Sequence, residues 1–286
     1  MIARIVVLVC VLAGTILCDD GSGYVFELNT TDDWYYDIEN MTEFEVRSFS
    51  FINTFACRLS MDYEERGSDS KEIHAIQSFS NVIASMRRND ELKPNHETQK
   101  LNGTAFKMVI DSTGTIASVV GADDDSQEVL ETMAANAAVF GGTGEGGEFR
   151  FPLGGDTLRY VGDKWVFIDI KEAATSTFGF EKFEGTQTTT TTYRLKKVKE
   201  KRGDLIAYLD SDTEVIIQGI GINWDETMEF VQNGVFKSKI QFNLTQGIIK
   251  SNKFEATLNT KGTSLEDDSS INFHMAVSME MKGKLK

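Results

Sequence analysis

Histidine is scarce in this 286-residue chain: His74, His96 and His274 fall in separate segments, with no second histidine or cysteine at ligand spacing. That argues against a zinc site. No G-x-S-x-G elbow or other nucleophile signature occurs, so a hydrolase would need a cleft in which an acid or a serine meets His274 or His96. The glycine-rich stretch GGTGEGGEF at 141–149 has no Lys-Ser or Lys-Thr pair, carries two glutamates and follows a helical pattern instead of opening one. It therefore reads as a flexible connection and not as a phosphate cradle. Asp123, Asp124, Asp125 and Glu128 lack the twelve-residue calcium loop and suit a helix N-terminus instead. Met275, Met279 and Met281 share a strand face without His or Cys beside them, a core pattern more than a copper one. No catalytic, cofactor or metal-binding residues are expected, and the chain reads as a non-enzyme.

Basic charge is also short. Lys and Arg number 29 against 44 acidic residues, a net charge of −15 with a pI near 4.7, so nucleic acid is repelled and disfavoured as a partner. Of three cysteines, Cys10 lies in the apolar run Ile5–Leu17 that follows Arg4, and Cys18 lies at its end. That run is too short to span a bilayer and, with the acidic CDDGSG after it, describes a secretory signal peptide over residues 1–18. Cys18 also stands where a bacterial lipoprotein carries its lipidated cysteine, although Thr15, Ile16 and Leu17 fit that processing site poorly. The expected location is periplasmic or extracellular, with membrane contact only if Cys18 anchors a lipid, since no other segment is apolar enough to cross. Only Cys57 remains after cleavage, so the core must hold without disulfides.

What is abundant is period-two patterning. Residues 19–43 read as a loosely ordered entry segment with at most a short strand at 23–28, and residues 44–286 as a β-rich domain, with a subdivision near 141–148 left open. From Phe51 to Tyr63 apolar residues alternate with polar ones, placing Cys57 on the apolar face. KEIHAIQSFSNVIASMRR, with Ile73, Ile76, Phe79, Ile83 and Met86 at three- and four-residue spacings, predicts an amphipathic helix. A hairpin is expected over 104–121, turning at Asp111–Gly114. A second helix follows to Gly141, with Asp125 and Glu128 at capping-box spacing. Further strands are expected at 164–170, 185–198, 203–209, 212–219, in a hairpin from Phe236 that returns at Ile248, and from Ile271 to Met281. Thr186, Thr188, Thr190 and Thr192 line one solvent-facing strand face. Asn29, Asn40, Asn102 and Asn243 head glycosylation sequons, which matter only in a eukaryotic secretory pathway. The fold class expected is mainly β: a large curved antiparallel sheet or incomplete barrel with two packed helices.

The segment FPLGGDTLRYVGDKW, with Pro152 followed by the V-G-D-x-W of Gly162, Asp163 and Trp165, resembles a family of uncharacterised exported bacterial proteins, many of them lipoproteins. The hairpins NGTAFKMVIDSTGTIASVVG and NGVFKSKIQFNLTQGIIKSN are similar too. The resemblance implies an envelope or extracellular location and a β-rich fold, and it implies no reaction. Read physically, Gly162 permits a turn, Asp163 caps it and Trp165 buries a ring. The apolar faces, with Phe236, Phe242, Phe254, Phe273 and Met275 among them, suggest a cleft for a lipid or another hydrophobic small molecule. The alternative is a structural or adhesive cell-surface module.

Overall fold

The computed structural model describes residues 23–26, 34–46, 49–63, 73–88, 91–110, 116–139, 157–173, 182–223 and 226–285. Residues 1–18, where a signal peptide is expected, Cys18, Asn29, the glycine-rich stretch and Pro152 lie outside these residues. In chain order the elements are β1 (Trp34–Val46), β2 (Phe49–Tyr63), β3 (Ile73–Arg88), β4 (Glu91–Pro94), the single turn α1 (His96–Gln99), β5 (Ala105–Ile110), β6 (Ile116–Gly121) and α2 (Asp124–Val139). Then come β7 (Lys164–Glu172), β8 (Lys182–Lys201), β9 (Asp204–Asn223), β10 (Glu226–Asn243), β11 (Ile248–Ser264) and β12 (Ser270–Leu285). All the strands join one 12-stranded antiparallel sheet in the order β6-β5-β3-β2-β1-β12-β11-β10-β9-β8-β7, with β4 against β3. Among the described residues the sheet does not close, and β6 and β7 are its end strands. Strands from both sides of the glycine-rich stretch thus belong to one sheet.

The entry segment corrects the sequence reading most. From Trp34 it forms β1, a 13-residue strand between β2 and β12 that joins the two halves of the sheet. Trp34 is 0% exposed and Tyr36 is 3% exposed. The rings of Trp34 and Tyr36 lie 5.5 Å apart, and that of Tyr63 lies 6.2 Å from Trp34. Tyr36 stands opposite Gly283 in β12, and its hydroxyl oxygen accepts a backbone hydrogen bond from Ile249 one strand further on. Gly283 makes this crossing possible, because a Cβ there would meet both the Ile249 carbonyl oxygen and the Tyr36 ring. Burial raises the Tyr36 hydroxyl well above its ordinary pKa. On the other face, Arg58 Nε donates to Asp37 at 2.9 Å and Lys284 Nζ at 3.4 Å, tying β2, β1 and β12 and holding the Asp37 carboxyl below its ordinary pKa. The pair is well exposed and adds little to stability.

The helix expected over KEIHAIQSFSNVIASMRR is instead β3. Its register with β2 runs Leu59↔Phe79 and Phe55↔Ala84, and between these pairs it shifts, opposite Asn81, whose φ is +54°. A β-bulge gives one strand an extra residue, so the inward set changes from odd numbers (Ala75, Phe79) to even ones (Ala84, Met86). Two half-strands out of phase imitate three- and four-residue spacing. Ile83, read as part of the buried helix face, is 70% exposed.

Among the described residues α2 is therefore the one helix longer than a turn. Its cap lies two residues earlier than the sequence suggested: Asp123 Oδ1 accepts the Ser126 amide at 2.7 Å. Buried Ser126 in turn accepts the Ala105 amide at 3.1 Å, fastening α2 to the β5–β6 hairpin. The two strands expected at 203–209 and 212–219 are one, β9. Asp210 and Asp212 fall on the wet face, where Lys196 pairs with Asp210 at 3.1 Å, so the acidic pair interrupts nothing.

The inner face holds two apolar clusters. One draws on nearly every strand, with Trp34, Leu59, Met108, Trp165, Tyr193, Leu209, Phe242 and Ile249. Phe26, from the segment that bridges Tyr24 to Arg159, lies 5.7 Å from the Trp165 ring and 5.5 Å from that of Phe242. Those rings sit on β7 and β10, strands that would stand about 14 Å apart in a flat sheet, so the sheet curls toward Phe26. The second cluster spans β8 to β11, with Phe183, Val215, Ile217, Phe230, Phe236 and Leu258. Between the two lies a buried polar belt. In it Thr213 Oγ1 donates to Thr191 Oγ1 at 3.0 Å and Gln187 Nε2 to Thr189 Oγ1 at 3.3 Å.

Cys57 faces inward from β2 and is 6% exposed. Burial, with the Asp37 charge adding to it, pushes its pKa up to about 12. At pH 8 roughly one thiol in ten thousand is then ionised. Iodoacetamide at that pH is expected to leave Cys57 unmodified in the folded protein and to alkylate it in urea, as read by peptide mapping. Rapid modification of the folded chain would place the residue at the surface.

Candidate functional site

The apolar inner face is dry at one end and partly open at the other. Around the second cluster Phe254, Met275 and Val277 pack only partly buried, and Phe273, Met279, Phe55 and Met86 share that intermediate exposure. The register sets them in rows. Phe236, Ala256, Val277, Thr42, Asn53 and Met86 follow one another from β10 to β3, and Ser238, Phe254, Met279, Asn40, Phe55 and Ala84 form the next row. The Phe236 and Phe254 rings lie 5.8 Å apart. Phe236 lies over Gly234, where a Cβ would come within 2.7 Å of the ring. The result is a trough, apolar on β10–β12 and edged with amides and a hydroxyl on β1 and β2. Asn53 Oδ1 is buried there with no hydrogen-bond partner among the described residues.

Of the residues proposed from sequence to line an apolar cleft, Phe236, Phe254, Phe273 and Met275 belong to this end. Phe242 does not: it is 0% exposed in the closed cluster beside Phe26.

The opposite face carries a second feature that sequence reasoning missed. Asn233, Asn259, His274 and Glu45 stand in register on β10, β11, β12 and β1, and they line a cleft of about 520 Å³. His274 Nδ1 and Asn259 Oδ1 are 2.8 Å apart. An imidazole and a carboxylate thus share a cleft whose lining includes no serine or cysteine. Thr260 also borders it, but its hydroxyl turns to the inner face, where it accepts from buried Gln232 at 2.9 Å. Outward parity on four strands was the only available signal, and nothing in a linear pattern says that these four positions align.

The V-G-D-x-W residues form a corner. Gly162, at φ +97°, occupies the left-handed region that favours glycine. Asp163 Oδ2 accepts the Tyr160 amide at 2.8 Å, which closes the turn. Trp165, 5% exposed, stacks on Tyr193 at 5.6 Å, with the Arg159 guanidinium 4.9 Å from its ring centre. Among the described residues no group of three or more His, Cys, Asp or Glu could hold a metal ion, and no helix is long and apolar enough to cross a membrane.

Fold and site together define an open antiparallel β-sheet protein with one apolar and one wet face. No family model matches the sequence, and no curated protein matches it. Among solved structures the chain is similar to one described as "Lipid-protein interactions in lipovitellin", with 11% sequence identity and a TM-score of 0.47. The match covers 91% of this chain and 25% of that one.

Proposed function

We propose that this is an exported, non-enzymatic protein that binds an elongated apolar ligand, a lipid acyl chain or a molecule of that kind, along the open end of its inner face. The observation that carries this reading is the unequal burial of one apolar surface. At one end Trp34, Phe242 and Ile249 are fully buried, whereas Phe254, Met275, Val277 and Met279 remain half-buried on strands of the same sheet. Contiguous apolar surface left uncovered in this way marks a binding site more often than a solvated face. Export rests on the leader pattern and on the likeness around Trp165.

Organic extraction of the purified protein followed by mass spectrometry is expected to release acyl lipids. Val277→Glu, which places a charge in the trough, is expected to reduce them by at least about tenfold without shifting the unfolding midpoint much. Protein that carries no lipid and takes up no added fatty acid would remove this reading. A structural or adhesive surface module is the second reading, favoured by exposed apolar side chains on the wet face at the edge of the sheet. It predicts the same empty extract together with self-association or surface binding.

A further inference from the structure

Among the described residues the sheet ends at β7. Ala173 N donates to Gly185 O and Leu195 N to Asp163 O, so the odd-numbered residues of β7 bond to β8. By the alternation of an antiparallel ladder, Lys164, Val166, Ile168, Ile170 and Glu172 then direct their backbone N–H and C=O groups to the free edge. The same five side chains are exposed, with Val166 at 53%, Ile168 at 66% and Ile170 at 69%. A long edge strand carrying bare β-branched side chains is ordinarily blunted by a charge, a proline or a bulge in its middle. On its outward face this one carries charges only at the two ends, and mid-strand Asp169 projects from the opposite face, where an antiparallel copy of β7 centred on Ile168 sets it against Phe167 and not against another carboxylate.

We propose that a second copy of this chain docks on β7, antiparallel and centred on Ile168, to make a two-fold dimer with one sheet continuous across both subunits. In that register Ile168 faces its own symmetry mate, Val166 faces Ile170, and Lys164 faces Glu172. Each pair exchanges two backbone hydrogen bonds, and the terminal charges are opposite at both ends. The sequence K-x-V-x-I-x-I-x-E is self-complementary on this face when read against itself in reverse. Shifting the register by two residues would break both the charge match and the apolar match. The charges choose a second copy over an unrelated strand, because an unrelated strand would have to supply an acid and a base at the same separation. The contact is small, so the dimer is a dissociating one with a Kd on the order of tens of micromolar. This inference does not depend on the apolar ligand.

Sedimentation of the purified protein is expected to show a monomer–dimer equilibrium below about 500 μM. Ile168→Lys, which puts two ammonium groups on the two-fold axis, is expected to leave only monomer. Lys164→Glu is expected to weaken the dimer about tenfold by setting glutamate against glutamate, and the double variant Lys164→Glu/Glu172→Lys to restore it. Far-UV circular dichroism of each variant should match that of the unaltered chain, since all three positions are exposed. A wild-type protein that stays monomeric over this range overturns the proposal. So does a dimer that survives Ile168→Lys, or a charge swap that fails to rescue.

Discussion

Replacing Trp34 with alanine is expected to cost about 3–5 kcal/mol of stability. For a chain of this size that lowers the melting temperature by roughly 10 °C. The indole is 0% exposed, lies against the rings of Tyr36 and Tyr63, and sits on the strand that joins the two halves of the sheet. A cavity there removes contacts from both β2 and β12, which flank β1. Trp34→Phe should lose much less, because the ring volume is mostly retained and the buried Trp34 Nε1 has no hydrogen-bond partner among the described residues to forfeit. Ile168→Ala, at an exposed edge position, is the control and should shift stability by no more than about 0.5 kcal/mol. Thermal unfolding followed by circular dichroism separates the three variants. If Trp34→Ala melts with the wild type, β1 is not the strand that carries the sheet.

Asn252→Leu is expected to stabilise the fold by about 1–3 kcal/mol. Asn252 is 0% exposed on the inner face of β11, between Ile240 of β10 and Met281 of β12, and neither its Oδ1 nor its Nδ2 has a partner among the described residues. Its amide has therefore given up water without an equivalent return, and a leucine of similar size removes that cost. Asn243 supplies the opposite case. It is 1% exposed, but its Oδ1 accepts the Thr245 and Gln246 amides at 3.1 Å in the turn that leads to β11. Asn243→Leu should therefore destabilise by about 1–3 kcal/mol, by leaving two amides unpaired. Urea midpoints that move in opposite directions would verify both assignments. A destabilising Asn252→Leu would mean that the buried amide is satisfied in the working protein. Asn243 also heads a sequon, yet its side chain is enclosed in this turn.

The strands that were legible in the sequence are those with one dry and one wet face throughout. β12 shows this plainly: Ile271, Phe273, Met275, Val277, Met279 and Met281 point one way along its whole length, and Cys57 took its inward place on β2 by the same parity. β1 was hidden because its inward set runs Trp34, Tyr36, Ile38 and then Asn40 and Thr42, so hydropathy stops alternating where the strand continues into the polar edge of the trough. β3 was hidden because its bulge at Asn81 reverses the parity midway. The site was half legible. Phe254 and Met275 could be named as inward apolar residues, but the inward Phe242 could not be told from them, because depth within a curled sheet depends on which strands stand beside a residue.

Alternation of side chains is a property of the extended backbone alone, so the sequence by itself determined that this chain forms antiparallel strands with one apolar face. Strand order, register and curl decided the rest. They are set by contacts between residues far apart along the chain, such as Tyr36 crossing Gly283 to reach Ile249, or Phe26 reaching both Trp165 and Phe242. Only those contacts determine which end of the apolar face is closed, which end stays partly exposed, and that β7 is the last strand of the sheet among the described residues.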